Sequence, residues 1–170
     1  HAAVELLANA RQMTDDAVVT FEYITREAIE FALKHIDGTR DPLPTRHDHY
    51  ILIELAAGEA TSTNLRNMLE TVLENGAEEG MVIDAVMAES MQNAKDFWKI
   101  RETIPEAQKY EGASSKHDIS VPVSSVADFL EDALKELEIL VPGIRPCAFG
   151  HVGDGNIHFN LSRPVDMSDE

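Results

Sequence analysis

The glycine-rich segment near the end of the chain constrains the fold more than any other feature. Residues 149–160 read Phe-Gly-His-Val-Gly-Asp-Gly-Asn-Ile-His-Phe-Asn, and apolar and polar residues mix on both sides of the glycines as they do in strands. Asp154-Gly155 is a strong signal for a two-residue hairpin turn, because a type I′ turn needs positive φ at both central positions. A turn closed there pairs His151 with His158 on one face, with Cβ atoms roughly 4.5–5.5 Å apart.

Two adjacent imidazoles, with Asn160 beyond them on the same face, suggest a metal site that also holds a substrate. The residues leave an alternative open, since such a His pair could equally be a solvated or hydrogen-bonded surface pair. A phosphate-binding loop is disfavoured, because a strand rather than a helix N-terminus follows and Asp154 would repel the anion. The triplet at residues 47–49, His-Asp-His, also has metal-like composition, and at a loop-to-strand boundary its two His would face the same way, but a ligand role is disfavoured.

The charge and the cysteine content narrow the classes of partner. The chain has 31 acidic and 14 basic residues among 170, so its formal net charge is −17. This charge argues against nucleic acid and anionic membrane as partners, and an anionic substrate would need a local cluster of Arg and Lys. The single cysteine, Cys147, excludes an internal disulfide, fits a reducing compartment and is expected to be a small packed strand residue. No apolar run approaches the length of a membrane span.

Hydrophobic periodicity predicts an alternation of helices and strands. Helices are predicted near residues 2–12, 24–36, 65–75, 89–104 and 125–137, and strands near residues 18–23, 50–56, 81–88 and 116–121, followed by the hairpin. Gly76 is placed to end the third helix and Pro105 to end the fourth. No glycine-rich turn follows the first strands. We therefore favour an α+β fold, an antiparallel sheet covered by helices in ferredoxin-like split β-α-β halves, over a doubly wound parallel sheet.

Two basic residues stand where a charge is costly. Arg101 follows Trp98 by three residues and Phe97 by four, which places it on the inward stripe of its helix. A partly buried guanidinium needs an anion, which could be an internal carboxylate or the carboxylate of a ligand. Lys116 shares a strand face with Asp118, so it is either a site residue or a solvated cation at the edge of the sheet.

Three motifs occur together and in an order that resembles one family. They are Trp98-Lys-Ile-Arg101-Glu102, Lys116-His-Asp118-Ile-Ser-Val-Pro122 and Gly150-His151-Val-Gly-Asp-Gly-Asn156-Ile-His158-Phe-Asn160. In this order they resemble the C-terminal substrate domain of FAD-linked 2-hydroxyacid dehydrogenases and oxidases. That family includes D-lactate dehydrogenases, glycolate oxidase subunits and D-2-hydroxyglutarate dehydrogenase. The resemblance spans residues 1–170 and implies one substrate- and metal-binding domain.

The resemblance implies a role for each of five residues. His151 and His158 would bind a divalent metal, zinc in most of the family. Arg101 and Lys116 would bind the substrate carboxylate, which gives this acidic chain the local positive charge that an anion requires, and Asn160 would contact the substrate. The metal would lower the pKa of the substrate hydroxyl, and the α-hydrogen would leave as hydride to FAD.

The resemblance also implies parts that this sequence does not show. In the family an FAD-binding domain precedes this region, and a Glu-His-Gly element downstream supplies the third metal ligand and the general base. Residues 1–170 alone are therefore expected to be inactive. Pro105 stands where the hydroxyglutarate branch has Thr, and His117 stands where an aromatic residue is common. These departures weaken the substrate assignment, in which a hydroxyglutarate-like acid is preferred and D-lactate comes second.

The expected partners are a small anionic 2-hydroxy acid, the FAD-binding domain and an electron acceptor, and a homodimer is compatible with the resemblance. The expected location is the cytoplasm, or the mitochondrial matrix in a eukaryote. A competing hypothesis is a non-catalytic α+β binding module whose His pair is structural, and a metal-dependent hydrolase has less support because no carboxylate base is placed. Convergence of Arg101, Lys116 and Asn160 within roughly 10 Å of the His pair would favour the dehydrogenase.

Overall fold

The computed structural model describes residues 1–58 and 64–167. The helices are α1 (Ala2–Met13), α2 (Arg26–His35), α3 (Leu65–Glu78), α4 (Met91–Ala107) and α5 (Val126–Leu140). The strands are β1 (Val18–Thr25), β2 (His49–Leu55), β3 (Ser114–Ser115), β4 (Asp118–Ser120), β5 (Arg145–His151) and β6 (Asn156–Ser162). Short 3₁₀ turns occupy Gln108–Glu111, Val123–Ser125 and Val152–Asp154. None of the described helices is both long enough and apolar enough to cross a membrane.

The six strands form one sheet. Its order is β2-β1-β5-β6-β3, and β4 also pairs with β6. Every pairing in the described part of the chain is antiparallel. Strands β1 and β2, which precede and follow α2, are direct neighbours. The predicted α+β class, an antiparallel sheet covered by helices, is confirmed.

Helices cover both faces of this sheet and create two cores. One core combines Phe21 and Phe159 of the sheet with residues of α1, α3 and α5. The other combines Phe149 and Cys147 with residues of α2 and α4. Side chains alternate along a strand. The odd-numbered residues of β6 therefore fill the first core, and its even-numbered residues lie on the side of α2 and α4.

The hairpin forms, but its turn is longer than predicted. Residues 152–154 make a 3₁₀ turn, and Gly155 has a left-handed conformation with φ +74°. Phe149 pairs with His158, so the predicted pairing of His151 with His158 is wrong. The register differs by two residues because the side chain of Val152 is drawn into the first core, where it is almost fully buried. A shift of two keeps both imidazoles on the side of the sheet that was predicted for them.

The segment between α3 and α4 differs most from the prediction. Residues 81–88 form no strand. Ile83 is 88% exposed, so the alternating burial that would hold a strand against the core is missing. Gly76 does not end α3 but lies buried inside it, where a Cβ would be 2.8 Å from Cγ2 of Val82. The glycine therefore allows close packing and does not terminate the helix.

Helix α4 also differs from its prediction, because it runs through Pro105 and ends at Ala107. A proline in a helix removes the hydrogen bond to the carbonyl four residues earlier, here that of Arg101. Ile104 and Ala107 are fully buried on either side of the proline. Their packing outweighs the lost hydrogen bond and continues the helix.

Candidate functional site

Arg101 belongs to a polar patch on the α4 side of the sheet. The patch is defined here as Arg101, Glu22, Lys116, His151, His158 and Asn160. Its guanidinium carbon lies 4.8 Å from the ring centroid of Phe149, and its Nε donates a hydrogen bond of 2.6 Å to Oε2 of Glu22. The side chains of Arg101 and Glu22 are only 15% and 9% exposed. The internal ion pair that the sequence left open is thus present. The hydrogen bonds found for this guanidinium within residues 1–58 and 64–167 use Nε alone, so its two terminal nitrogens are left for a second anion.

His151 lies beside the same carboxylate. It is the cross-strand partner of Glu22 between β1 and β5. Its Nδ1 is 3.5 Å from Oε1 of Glu22, which is an ion-pair distance slightly longer than a hydrogen bond. Glu22 was not predicted from the sequence, although a carboxylate between Phe21 and Tyr23 in an otherwise apolar strand is a signal that could have identified it.

His158 lies on the other side of Phe149 from Arg101 along the sheet. The ring centroids of Phe149 and His158 are 5.0 Å apart. Nδ1 of His158 is 2.5 Å from Oδ1 of Asp118, the residue opposite it on β4. The Phe149 ring centroid is 4.8 Å from the Arg101 guanidinium carbon and 5.0 Å from the His158 ring centroid. The guanidinium carbon therefore lies within about 10 Å of the His158 ring.

Asn160 is buried next to His158, and its amide has internal partners. Its Nδ2 donates to Oε1 of Gln108 at 3.0 Å, and its Oδ1 accepts from the backbone N–H of His117 at 3.3 Å. Gln108 is fully buried and was not predicted, because residues 106–115 had the composition of a polar loop. Any contact of Asn160 with a ligand would add to these two hydrogen bonds.

Lys116 lies in the interruption between β3 and β4. Both short strands pair with β6 in one continuous register, and this register places Lys116 opposite Asn160. The predicted strand over 116–121 is confined to β4, because the N–H of His117 is diverted to the Asn160 side chain. Lys116 is exposed, so its cation is accessible from solvent at the edge of the patch.

Cys147 pairs with Asn160 across the hairpin but carries no chemistry at neutral pH. Burial, followed by the nearby charge of Glu27, raises the pKa of its thiol to about 12, against a smaller opposing effect of Lys116. The thiol is therefore protonated, and Cys147 is the packed strand residue that the sequence predicted.

The two site imidazoles have similar neighbours. Both rings present Nδ1 to a carboxylate, Glu22 for His151 and Asp118 for His158. A carboxylate next to one ring nitrogen is also found beside histidines that bind metals through the other nitrogen. Within the described residues, no three His, Cys, Asp or Glu side chains are grouped to hold a metal. The described residues therefore provide two imidazoles, each beside a carboxylate, and no complete set of metal ligands.

The triplet at residues 47–49 is directed elsewhere. The hydroxyl of Tyr23 lies 2.8 Å from Nδ1 of His49, and Nε2 of His47 is 3.4 Å from Asp84. Burial raises the pKa of the Tyr23 hydroxyl, so the hydroxyl beside His49 stays protonated. These contacts divide the two imidazoles between different partners.

Comparison with known proteins agrees with the motifs. Residues 2–170 match the family described as FAD linked oxidases, C-terminal domain. The chain is 35% identical over 158 residues to mitochondrial D-2-hydroxyglutarate dehydrogenase of Arabidopsis thaliana, which covers 93% of this chain and 27% of that protein. It is 36% identical over 146 residues to D-2-hydroxyglutarate dehydrogenase of Xanthomonas citri pv. viticola. This match covers 85% of this chain and 29% of that protein.

A third relative is named for a different activity. It is a D-2-hydroxyglutarate–pyruvate transhydrogenase of Saccharomyces cerevisiae, 25% identical over 165 residues, covering 93% of this chain and 33% of that protein. The chain thus spans between about a quarter and a third of the length of these relatives. The match over nearly its whole length shows that the chain belongs to the family of C-terminal domains of FAD-linked oxidases.

Proposed function

We propose that this domain is the substrate- and metal-binding part of a flavin-dependent dehydrogenase that oxidises D-2-hydroxyglutarate in preference to D-lactate. The observation that carries the proposal is the pair of contacts made by Arg101: its guanidinium lies over Phe149, which also contacts His158, and it is bonded to Glu22, which lies beside His151. The names of the relatives support hydroxyglutarate as the substrate. Relatives from Arabidopsis thaliana and Danio rerio are named as mitochondrial, which supports a mitochondrial location, in the matrix, if the protein is eukaryotic. Otherwise the cytoplasm is the proposed location.

The cations of the patch would bind the carboxylates of the substrate. The two terminal nitrogens of Arg101 form a planar fork that matches one carboxylate, and the Phe149 ring beneath holds the guanidinium in place. Lys116 supplies a second, exposed cation at the edge of the patch. D-2-hydroxyglutarate has two carboxylates and D-lactate has one, so two cations favour the longer acid. Asn160 would add a polar contact to the substrate.

The two histidines would bind a metal ion through Nε2. His151 and His158 would hold a divalent metal, zinc in the first place, through Nε2, and such an ion when bound lowers the pKa of the substrate hydroxyl. Glu22 and Asp118, each beside Nδ1 of one ring, would favour the tautomer that leaves Nε2 free to bind the ion. FAD, held by the rest of the whole protein, would supply the acceptor for the α-hydrogen as hydride. The role of this chain is then to orient the substrate, which contributes to rate by positioning.

A non-catalytic binding module is the second candidate, and two observations favour it. Glu22 already neutralises Arg101, and the Asn160 amide is already hydrogen-bonded inside the protein. In such a module the histidines would be structural and the patch would bind neither zinc nor a hydroxy acid.

Zinc binding separates the two candidates. We expect His151→Ala and His158→Ala each to weaken zinc affinity at least about tenfold, because each removes one imidazole ligand. Isothermal titration calorimetry on the full-length protein that contains this domain measures the change. His47→Ala is the matched control and should leave zinc affinity unchanged, since that imidazole is directed to Asp84. Equal binding by all variants, or no binding by the unaltered protein, would contradict the metal role.

Substrate binding tests the role of Arg101. We expect Arg101→Lys to raise the KM for D-2-hydroxyglutarate about tenfold to a hundredfold, because a lysine keeps the charge but loses the bidentate fork. Steady-state kinetics of the full-length flavoprotein, with D-lactate as the second substrate, give this value. Arg66→Lys, an exposed change in α3 where the side chain pairs with Glu70, is the control. An unchanged KM for both acids would exclude Arg101 from substrate binding.

A further inference from the structure

Glu22 is the buried carboxylate that touches both arms of the proposed site. Its Oε2 accepts a hydrogen bond of 2.6 Å from Nε of Arg101, the arm proposed to bind the substrate carboxylate. Its Oε1 lies 3.5 Å from Nδ1 of His151, the arm proposed to bind the metal. One negative charge is therefore shared between a guanidinium and an imidazole, with a separate oxygen for each.

The backbone of Glu22 is held rigidly. Strand β1 lies between β2 and β5, and Glu22 is paired with Leu52 on one side and His151 on the other. Its neighbours Phe21 and Tyr23 are buried in the core on the opposite face. A side chain on an interior strand with both flanking residues in the core starts from a fixed Cα, so its carboxylate is a precise anchor.

Only a carboxylate satisfies both partners of Glu22. Nε of Arg101 always carries a hydrogen, and Nδ1 of His151 carries one whenever Nε2 is a ligand, so both partners are donors. A carboxylate offers two acceptor oxygens, whereas the amide of Gln offers one acceptor and one donor group. An amide at position 22 would therefore lose one of the two partners.

The second imidazole is supported differently. Asp118 pairs with His158 from an exposed position near the sheet edge, and the contacts found for its carboxylate among the described residues are with His158 alone. Changes at position 118 should therefore act on the metal arm, whereas changes at position 22 should act on both arms.

We propose that Glu22 is a positioning residue that couples the two arms, because it fixes the Arg101 guanidinium and the His151 ring with one carboxylate. This inference rests on the proposed function. Glu22 touches neither the substrate nor the metal, and it acts through the two residues that do.

Two binding constants of the full-length flavoprotein test the coupling. We expect Glu22→Gln to weaken zinc affinity about tenfold to a hundredfold, because a metal-binding histidine loses the carboxylate beside its other ring nitrogen. The same change should raise the KM for D-2-hydroxyglutarate at least about tenfold, because the guanidinium loses its anchor. Asp118→Asn should weaken zinc affinity and change KM less. Glu54→Gln is the matched control: Glu54 lies on β2 opposite Thr20 and should change neither constant more than about twofold.

The outcomes distinguish the inference from the proposed function. If Glu22→Gln lowers the melting temperature but leaves zinc affinity and KM unchanged, Glu22 is merely structural and the coupling is refuted. If His151→Ala and His158→Ala also leave zinc affinity unchanged, it is the proposed function that fails. Should Glu22→Gln not fold, Glu22→Asp keeps the charge but is one methylene too short for both partners. Glu22→Asp should either weaken zinc affinity or raise the KM for D-2-hydroxyglutarate about tenfold. Unchanged values of both would refute the coupling.

Discussion

Replacement of Gly155 by alanine is expected to destabilise the domain by about 2–5 kcal/mol, through two separate effects. Gly155 has φ +74°, a left-handed conformation that costs an L-residue roughly 1–2 kcal/mol. A Cβ at this position would also lie 1.9 Å from the carbonyl oxygen of Val121. That atom belongs to the backbone and cannot rotate away, so the chain must move at a further cost of about 1–3 kcal/mol.

Gly80→Ala isolates the first of these effects. Gly80 has φ +75°, almost the same as Gly155, but nothing lies within 4 Å of the position of its Cβ. Its replacement should therefore cost only about 1–2 kcal/mol. Urea denaturation of the two variants gives both free energies of unfolding, and their difference measures the clash with Val121. Equal losses would mean that the segment around Val121 yields freely, contrary to the close approach seen here.

Glu111→Gln is expected to cost about 3 kcal/mol at neutral pH. The Glu111 side chain is 6% exposed and accepts hydrogen bonds from Lys34 at 2.7 Å and His35 at 2.5 Å, while Arg145 forms a third ion pair with it. Among the described residues, an amide would leave Arg145 with one carboxylate at ion-pair distance, that of Glu27 at 3.7 Å. Removing one partner from a buried ionic network costs about 3–5 kcal/mol, and the remaining Glu27 places this variant at the lower end.

The same carboxylate predicts a specific pH dependence. Burial raises the pKa of Glu111, but the hydrogen bonds from Lys34, Arg145 and His35 together outweigh burial and lower the pKa from 4.5 to about 2. A lowered pKa in the folded state stabilises the protein above pH 4.5, and this stabilisation is lost as the pH falls toward 2. The difference between the two pKa values corresponds to about 3 kcal/mol.

Unfolding free energies at several pH values check this linkage. The advantage of the unaltered protein over Glu111→Gln should be full at pH 7 and should shrink as the pH falls from 4.5 toward 2. Glu78→Gln, an exposed change in α3, should follow the unaltered protein throughout. A gap between the unaltered protein and Glu111→Gln that stays constant down to pH 2 would show that the ionised carboxylate is not what stabilises this cluster.

The positions of most helices and strands could be predicted because their signals are local. The apolar spacing in α1 and α2 and the β-branched run in β2 are each contained within a few residues. The hairpin turn shows the limit of such signals. Gly155 does take the left-handed conformation that Asp154-Gly155 indicated, but the register also depends on Val152, which packs against helices distant in sequence. For the same reason, residues 81–88 have the pattern of a strand but form none, although Met81 and Val82 pack against the first core.

The site could be predicted only in part, for a related reason. Arg101, His151 and His158 stand in motifs that can be read along the chain. The partner of Arg101 is 79 residues away and is one of 31 acidic residues, so no spacing rule selects Glu22. Gln108 is similarly hidden, since only the 3₁₀ turn after α4 brings it against Asn160 and Ser162.

The alternation along β6 limits how this domain can change in length. His158 and Asn160 belong to the polar patch, whereas Ile157 and Phe159, which alternate with them, belong to the core. Inserting or deleting one residue in this strand would send the imidazole and the amide into the core and bring the apolar side chains out to the patch. Inserting or deleting two residues together would keep the imidazole and the amide on the patch side and the apolar side chains in the core. Related domains are therefore expected to vary in this strand by substitution or by pairs of residues, and to place single-residue length changes in the turns outside it.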